Sequence, residues 1–505
     1  MSQLKKDEKK KGVFLSYLLI GLNGIVGVVY TPILLQTLGY SDYALYSLSS
    51  NIIGFLVFLD FGLNNGIVRY ITKYLSSNNE KKLPSFYGMF LTVFISISLL
   101  ILMFGILIHQ NIDALYSITM NIDEITKFKK ILVIMFSTMA ICFPFNLFLA
   151  IITAKEHFIF LRTVIICRII INTFLLIIFL KMGYGIVFLV SITSLFNFIV
   201  VFANYLFCKF KLKIKIQFNN FDKKKLIEVV RFSFLLFTVV IFEKIIWSGS
   251  QIILGMYVST LILSVFSIAF LLQQIYASFS TAFSGVFLPK ITNMVVNNRP
   301  DSEISDLFIR SGRIQFFLIS IIFSGFIIFG KTFILFWAGP EFQNAYYTAL
   351  FFFIPLSILS VQSLGKVILT SRNQLKTISI VYFITVITSI ILQFILVKDY
   401  GVNGITLGVV LPLMLGPIIY MNLYYHAKQS LDVLNFWSEI IKSGRLPLIF
   451  ALSSYFFIYF NDINSIIYLI IYIVIYAVLY LIIIWNFSLN KYEKELFLNF
   501  LKKIV

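Results

Sequence analysis

Glu243 and Lys244 stand side by side near the middle of a long apolar run, where an ionised side chain finds no water. Such a residue costs about 2.5–3.5 kcal/mol at the centre of a membrane helix on insertion scales, so each one demands a role. Adjacent helical positions point roughly 100° apart, so the two cannot neutralise each other face to face. The alternatives are an ion pair with another helix, or a polar cavity into which at least one of them looks. Gln251 continues the Lys244 face two turns on, and Gln273 and Gln274 sit mid-run in the next hydrophobic stretch. Asp60 lies inside the second apolar run, and a short acid reaches back to an interface less well than a long base. Arg69 follows at the end of that run, placed to anchor among headgroups. Arg168, about two turns into the fifth run, either snorkels or looks into a cavity, and Asn23 in the first run is a weaker polar mark.

The elements that must hold these residues are apolar helices. Of 505 residues, 59% are hydrophobic and 12% charged, with a mean hydropathy of +0.94. A soluble enzyme would carry about 25% charged residues, and a disordered chain would lack the recurrent apolar runs. A helical span needs about 20 apolar residues. Candidates lie near 13–38, 44–67, 85–108, 128–152, 162–181 and 183–207, then near 229–254, 259–288, 312–336, 345–369, 377–397 and 402–426. Two more lie near 446–460 and 466–487, the former short and starting at Pro447. The expectation is an all-α polytopic membrane protein of about fourteen transmembrane helices. The lysines Lys5, Lys6, Lys9, Lys10 and Lys11 before the first run imitate a secretory signal. That run is too long and lacks a small-residue cleavage site, so it reads as an uncleaved first span.

The net charge of +19, from 41 Lys+Arg against 22 Asp+Glu, would suggest nucleic acid in a soluble protein. With the N-terminus inside, cytoplasmic segments hold 33 of the 41 basic residues, and Lys209, Lys211, Lys213, Lys215, Lys223, Lys224, Lys225 and Arg231 crowd one linker. Positive-inside asymmetry then explains the charge, places both termini in the cytoplasm and leaves some attraction to anionic membrane lipids. No nucleic-acid partner is expected.

The second half echoes the first. Ile33-Leu34 and Tyr46-Ser47 recur as Ile253-Leu254 and Phe266-Ser267, Thr153-Ala154-Lys155 as Thr370-Ser371-Arg372, and Tyr184-Gly185-Ile186 as Tyr400-Gly401-Val402. Pro144 and Pro355 fall in equivalent spans. Six spans per copy is even, so the copies run in the same direction, a transporter architecture with substrate held between halves. The division is a six-helix half at 1–207, a basic cytoplasmic linker at 208–228, a second six-helix half at 229–428, and two extra helices with a cytoplasmic tail at 429–505.

Other chemistry is sparse. Cys142, Cys167 and Cys208 have no zinc spacing and read as small buried hydrophobes. His109, His157 and His426 lie at span ends, far apart, so neither a metal site nor a catalytic triad is expected. The first outer loop, Gly39 to Tyr43, offers Asp42 alone, and solvation explains the acidic loop at Asp113, Asp123 and Glu124. Gly325 to Thr332 spells G-x-x-x-x-G-K-[ST], but a phosphate loop needs a preceding strand and this run ends a hydrophobic helix. No ATP site and no cofactor are expected. Gly62-x-x-x-Gly66 and Gly404-x-x-x-Gly408 suit close helix packing, and Pro144, Pro355, Pro412 and Pro417 mark kinks.

Leu38-Gly39-Tyr40-Ser41-Asp42-Tyr43-Ala44-Leu45-Tyr46, then Leu59-Asp60-Phe61-Gly62-Leu63 with Arg69-Tyr70, resembles the opening of bacterial oligosaccharide-lipid (polysaccharide) flippases. Their superfamily also holds the lipid II flippase and the multidrug and toxin extruders. Ile253-Leu254-Gly255, Phe266-Ser267-Ile268-Ala269 and Leu288-Pro289 resemble the second-half start and the close of span eight. The resemblance implies a flippase in the bacterial cytoplasmic membrane that moves undecaprenyl-diphosphate-linked oligosaccharide by alternating access. Arg69, Arg168 and Lys244 would then hold the diphosphate, while Asn23, Gln251, Gln273 and Gln274 would meet the sugar in a polar cavity. Asp60 and Glu243 would form an ion pair or couple transport to H+ or Na+. Family members often carry Asp near the Gln251 position; here the acid is Glu243, two turns earlier. The prenyl tail would stay in lipid, along spans thirteen and fourteen. The alternatives are a multidrug extruder of the same superfamily and a membrane glycosyltransferase or polysaccharide polymerase, though no large outer loop is available to carry catalysis.

Overall fold

The computed structural model describes residues 2–60, 62–77, 79–218, 221–460, 463–491 and 493–495. Phe61 of the quoted motif and the tail from 496 onward lie outside the described residues, as do the side chains of the N-terminal lysines, Leu288 and Pro289. Among the described residues there is no strand. The first helices are α1 (Ser2–Leu56), α2 (Leu63–Ser76), α3 (Leu83–Tyr116), α4 (Ile122–Cys142) and α5 (Asn146–Ala154). They are followed by α6 (Phe158–Lys181), α7 (Ile186–Leu206), α8 (Lys223–Gly255), α9 (Thr260–Val296), α10 (Asp301–Trp337) and α11 (Ala345–Val361). The last are α12 (Ser363–Ser371), α13 (Leu375–Leu413), α14 (Met421–Gln429), α15 (Val433–Tyr459) and α16 (Ile466–Ile483).

Among the described residues ten helices are long and apolar enough to cross a membrane, eleven when the bent pair α11–α12, which turns by 44°, counts as one. The chain is a multi-pass helical membrane protein. Fourteen spans remain consistent with this count. Gly39 (φ 79, ψ 177) breaks α1 and Gly401 (φ 51, ψ −122) breaks α13, so each long helix divides at a glycine that tolerates a positive φ. The thirteenth expected span is α15, which differs from expectation. It begins at Val433 behind an Asp432 cap, whose carboxylate accepts the Asn435 N–H at 3.1 Å, and Pro447 lies inside it. The charges of its first turns hide this start from a hydropathy reading.

The repeat is written in the backbone. The Glu156 and Asn373 residues (φ 63 and 54) end their helices left-handed, and one position on, His157 bonds back to Ile152 as Gln374 does to Leu369. Lys213 and Ser430 (φ 48 and 54) do the same, with Ile214 bonded to Cys208 and Leu431 to Tyr425. All four correspondences have one sequence offset, 217. Earlier in each copy, Asn79 bonds to Tyr74 and Arg299 to Met294, at the offset of 220 seen in the first sequence match. Helix stops of this kind need specific residues in a left-handed geometry, so their recurrence in register marks two copies of one six-span unit.

Two compact units result, Met1–Ser264 and Val265–Val505. The boundary falls one helix beyond the 208–228 linker because α8 packs along α1 and α2. Gly66 is the reason it lies so close to α2: a Cβ there would collide with Ser233 Oγ and stand 2.8 Å from the Val229 side chain. The linker itself is held, with Gln217 donating to the Pro84 carbonyl at 3.0 Å. At the Gly39 end of this unit, Glu124 caps α4 through Asn121 and accepts from Ser41 and Thr260 at 2.5 and 2.8 Å. The nearby acids are also bound: Asp42 to Lys127 at 2.8 Å and Asp113 to Lys129 at 2.5 Å.

In the second unit the two extra helices are fastened to α10. Tyr476 of α16 stacks on Phe450 of α15 and donates to Ser324 of α10 at 2.6 Å. Arg313 of α10 is buried and bridges Glu439 at 2.9 Å and Glu493 at 2.8 Å, while also donating to the Ser488 carbonyl. Pro417 lies in a π turn over Met414–Tyr420, and its carbonyl is taken up by Gln362 at 2.9 Å. From Gln362 the chain of bonds runs through Asn422 to Trp437 of α15.

Candidate functional site

The arm of α1 after Gly39 carries polar side chains on two neighbouring faces. Ser47, Asn51 and Gly54 recur at helical spacing and turn toward α8. Gln251 of α8 lies fully buried between them: its amide donates to Ser47 Oγ at 2.8 Å and its carbonyl accepts from Asn51. Two turns away on the same α8 face, Lys244 lies beside Gly54, where a Cβ would stand 3.9 Å from its ammonium nitrogen. Among the described residues Lys244 forms no hydrogen bond and no ion pair. A half-buried ammonium thus lies on the same helix face as a seam of amides and hydroxyls, with a glycine opposite against which its side chain packs. That arrangement suits an anion whose remaining groups are hydroxyls.

The other face of the same arm looks into a cavity of about 560 Å³ within the first unit. Tyr46, Ser50, Arg168, Asn197, Thr193 and Ser194 form its polar wall, and Met135 and Met139 are part of its apolar one. Arg168 does not snorkel. Its guanidinium donates to Asn197 Oδ1 at 2.5 Å, and Asn197 lies midway along α7, far from either end. Cavity and seam are therefore separate: Arg168 lines the first, Lys244 the second, and α1 stands between them.

The remaining candidates are scattered. Asp60 sits in the 3-10 turn Val57–Asp60 that ends the arm of α1 after Gly39, where its carboxylate accepts the Asn64 N–H. Its Oδ1 is buried with no hydrogen bond among the described residues. Arg69 is exposed on α2, and Glu243 is half-buried beside Lys244. Asn23 is exposed and bonds back to the Leu19 carbonyl at 2.9 Å, satisfied by its own helix. Gln273 is buried with its Oε1 unbonded among the described residues, whereas Gln274 is exposed, so these neighbours do not line one surface. Sequence reasoning missed Tyr46, Ser47, Ser50, Asn51 and Asn197. The signal was present: Ser47, Ser50 and Asn51 lie three and four residues apart in an apolar run, which is a polar helical stripe.

Gly325 to Thr332 falls inside the unbroken helix α10, and Phe326 occupies the space beside Gly330. Its amides serve the helix rather than a phosphate. A groove of about 800 Å³ in the second unit is larger, but Ile380, Ile384, Ile391 and Leu415 dominate its lining and it contains neither acid nor base. Among the described residues no three His, Cys, Asp or Glu side chains group as metal ligands.

Residues 10–295, more than half of the chain, match the family described as polysaccharide biosynthesis protein. The chain belongs to that family. No curated protein sequence matches the chain. Among solved structures it is similar to the lipid II flippase MurJ in an inward closed conformation, with a TM-score of 0.68 and 17% identity over 93% of this chain and 97% of that one. It is also similar to an inward-facing multidrug resistance MATE family transporter (TM-score 0.60, 13% identity, 82% and 96% covered). A third is the MATE multidrug transporter DinF-BH (TM-score 0.60, 14% identity, 85% and 96% covered). At these identities the likeness is one of fold. In this member of the polysaccharide biosynthesis family, both the seam and the cavity lie within the matched segment.

Proposed function

We propose that the chain is a flippase that carries an undecaprenyl-diphosphate-linked oligosaccharide from the inner to the outer leaflet of the bacterial cytoplasmic membrane. It works by alternating access and serves the assembly of a surface polysaccharide such as capsule or O-antigen. The observation that carries this reading is Lys244, an ammonium without a counter-ion among the described residues, which lies beside Gly54 on the α8 face that Gln251 continues two turns on toward Asn51 and Ser47. Each sugar hydroxyl or amide left unbonded in hydrocarbon costs several kcal/mol, and a diphosphate far more, so unaided flipping is very slow. A polar seam through the bilayer replaces the lost water. Lys244 meets phosphate by a charge-assisted hydrogen bond, and the seam's amides and hydroxyls meet the sugar. The prenyl tail stays in lipid throughout. With both termini cytoplasmic, the charge asymmetry of the sequence supports this orientation.

Lys244→Ala removes a contact of about 1.5–3 kcal/mol, so the flipping rate should fall roughly 10- to 100-fold. The measurement is surface glycan per molecule of membrane-inserted protein in a strain lacking the chromosomal copy. Complete lipid-linked units should accumulate on the inner leaflet, whereas loss of a glycosyltransferase or polymerase would leave incomplete or unpolymerised ones. Full activity of Lys244→Ala would refute diphosphate binding at the seam. Asp60 and Glu243 are the groups through which H+ or Na+ would couple, tested by ion dependence in vesicles. The MATE-like fold favours a second reading, a multidrug extruder. Drug sensitivity of the deletion strain with intact surface glycan would select it.

A further inference from the structure

Arg168 is placed for more than helix packing. It sits ten residues into α6 and reaches sideways to Asn197 in the middle of α7 rather than along its own helix to an interface. Asn197 is neutral, so this bond leaves the positive charge uncancelled. Among the described residues no carboxylate pairs with the guanidinium. A guanidinium has five N–H donors, and the one bond to Asn197 leaves about four without a partner among the described residues on a side chain that lines the 560 Å³ cavity. Around it, Tyr46 is bonded to Ser50, and Thr193 and Thr138 each spend their proton on their own helix, to the Leu189 and Ile134 carbonyls. The hydroxyl oxygens of those threonines remain as acceptors toward the cavity. The charge balance is specific: one cation and no acid line the space, so a diphosphate would be left under-neutralised while a single negative charge is matched.

We infer that this cavity binds one singly charged oxyanion attached to a hydroxyl-bearing body, with Arg168 as its counter-ion. Two sources share that chemistry: an acidic sugar, such as a uronate within a glycan, and the phosphodiester headgroup of an anionic lipid. The site does not depend on the flippase reading. An acidic sugar here would make the cavity a selectivity element for charged glycans, separate from the Lys244 seam.

Cys142 lines the same cavity and reports on it. With Cys167→Ala and Cys208→Ala, it is the remaining thiol, and its modification is followed with anionic and cationic methanethiosulfonates of matched size in phosphatidylcholine nanodiscs. Arg168 should make the anionic reagent faster than the cationic one by roughly tenfold, from one charge at short range in a medium of intermediate dielectric. Arg168→Gln should abolish that preference and Arg168→Lys should retain it, which separates a lost charge from a lost fold. Glucuronate but not glucose should then protect Cys142, if the source is a sugar acid. Protection without added sugar in phosphatidylglycerol nanodiscs assigns the lipid headgroup instead. Equal reagent rates in the parent and in Arg168→Gln, no reaction with either reagent, or equal protection by glucose and glucuronate would each overturn the site.

Discussion

Replacing Arg313 should loosen the two C-terminal helices more than replacing either acid it holds. The burial pattern fixes the order. Glu493 is 0% exposed, Arg313 9% and Glu439 31%. At 2.8 Å the gross attraction is about 6 kcal/mol in a medium of effective dielectric 20, but desolvation cancels most of it, so the intact cluster adds little net stability. Breaking it is different. Arg313→Gln leaves Glu493 charged, buried and held by the Asn490 backbone at 2.9 Å, at a cost of about 3–5 kcal/mol. Glu493→Gln leaves Arg313 paired to Glu439 and costs about 1.5–3 kcal/mol as a charged hydrogen bond. Glu439→Gln acts at a site open to water and should cost under about 1 kcal/mol. For a unit of this size, each kcal/mol moves the melting midpoint by about 2–4 °C, so the three variants should separate cleanly by size-exclusion thermal stability in detergent. Replacing Arg313, Glu439 and Glu493 together by apolar residues of similar volume should recover most of the loss. Equal midpoints for Arg313→Gln and Glu439→Gln, or a triple variant worse than Arg313→Gln, would refute this account of the clasp.

Two further outcomes follow from the first unit. Gly66→Ala drives a methyl into Ser233 Oγ, so it should destabilise by about 1–3 kcal/mol, with part of the loss recovered by pairing it with Ser233→Ala; thermal stability of the single and double variants tests this. Where α8 starts, Lys225 bonds to Glu228 at 2.8 Å and lies 4.9 Å over the Tyr70 ring, and this bond holds the Glu228 carboxyl below its ordinary 4.5 while raising Lys225. A depressed acid contributes stability above its unfolded value and loses it as pH falls through the folded one. Protection of the first α8 amides against hydrogen exchange should therefore weaken as the pH drops below about 4.5, and weaken less in Glu228→Gln, where the Asp222 cap is the carboxylate that remains.

Spans, repeat and buried charges were legible because each has a strong physical signature along the chain. Twenty apolar residues cannot hide, and a six-span copy repeats its helix stops as well as its letters. What could not be read was direction around a helix axis. Lys244 and Gln251 share a face by spacing alone, but which helix they meet depends on Ser47, Asn51 and Gly54, two hundred residues away. Gln273 and Gln274 looked equivalent as letters and point to opposite surroundings. Arg168 was open between snorkelling and a cavity because both fit a residue near a helix end; Asn197, contributed by the next helix, decides it. Asp113 and Glu124, read as solvated, proved to be fastenings. Glu124 alone serves α4's cap, Ser41 and Thr260, a many-partner role that pairwise spacing never displays.

The seam between α1 and α8 includes side-chain bonds from Asn51 to Gln251 and from Gln251 to Ser47. Water replaces such bonds at little net cost, so the two together add about 2 kcal/mol to an interface where Leu48 and Phe55 also lie against Gly255 and Gly249. An apolar interlock of the same length would resist wetting far more strongly. Amide stitching thus makes this part of the interface exchangeable, since water or another hydroxyl can take the place of either bond at little net cost.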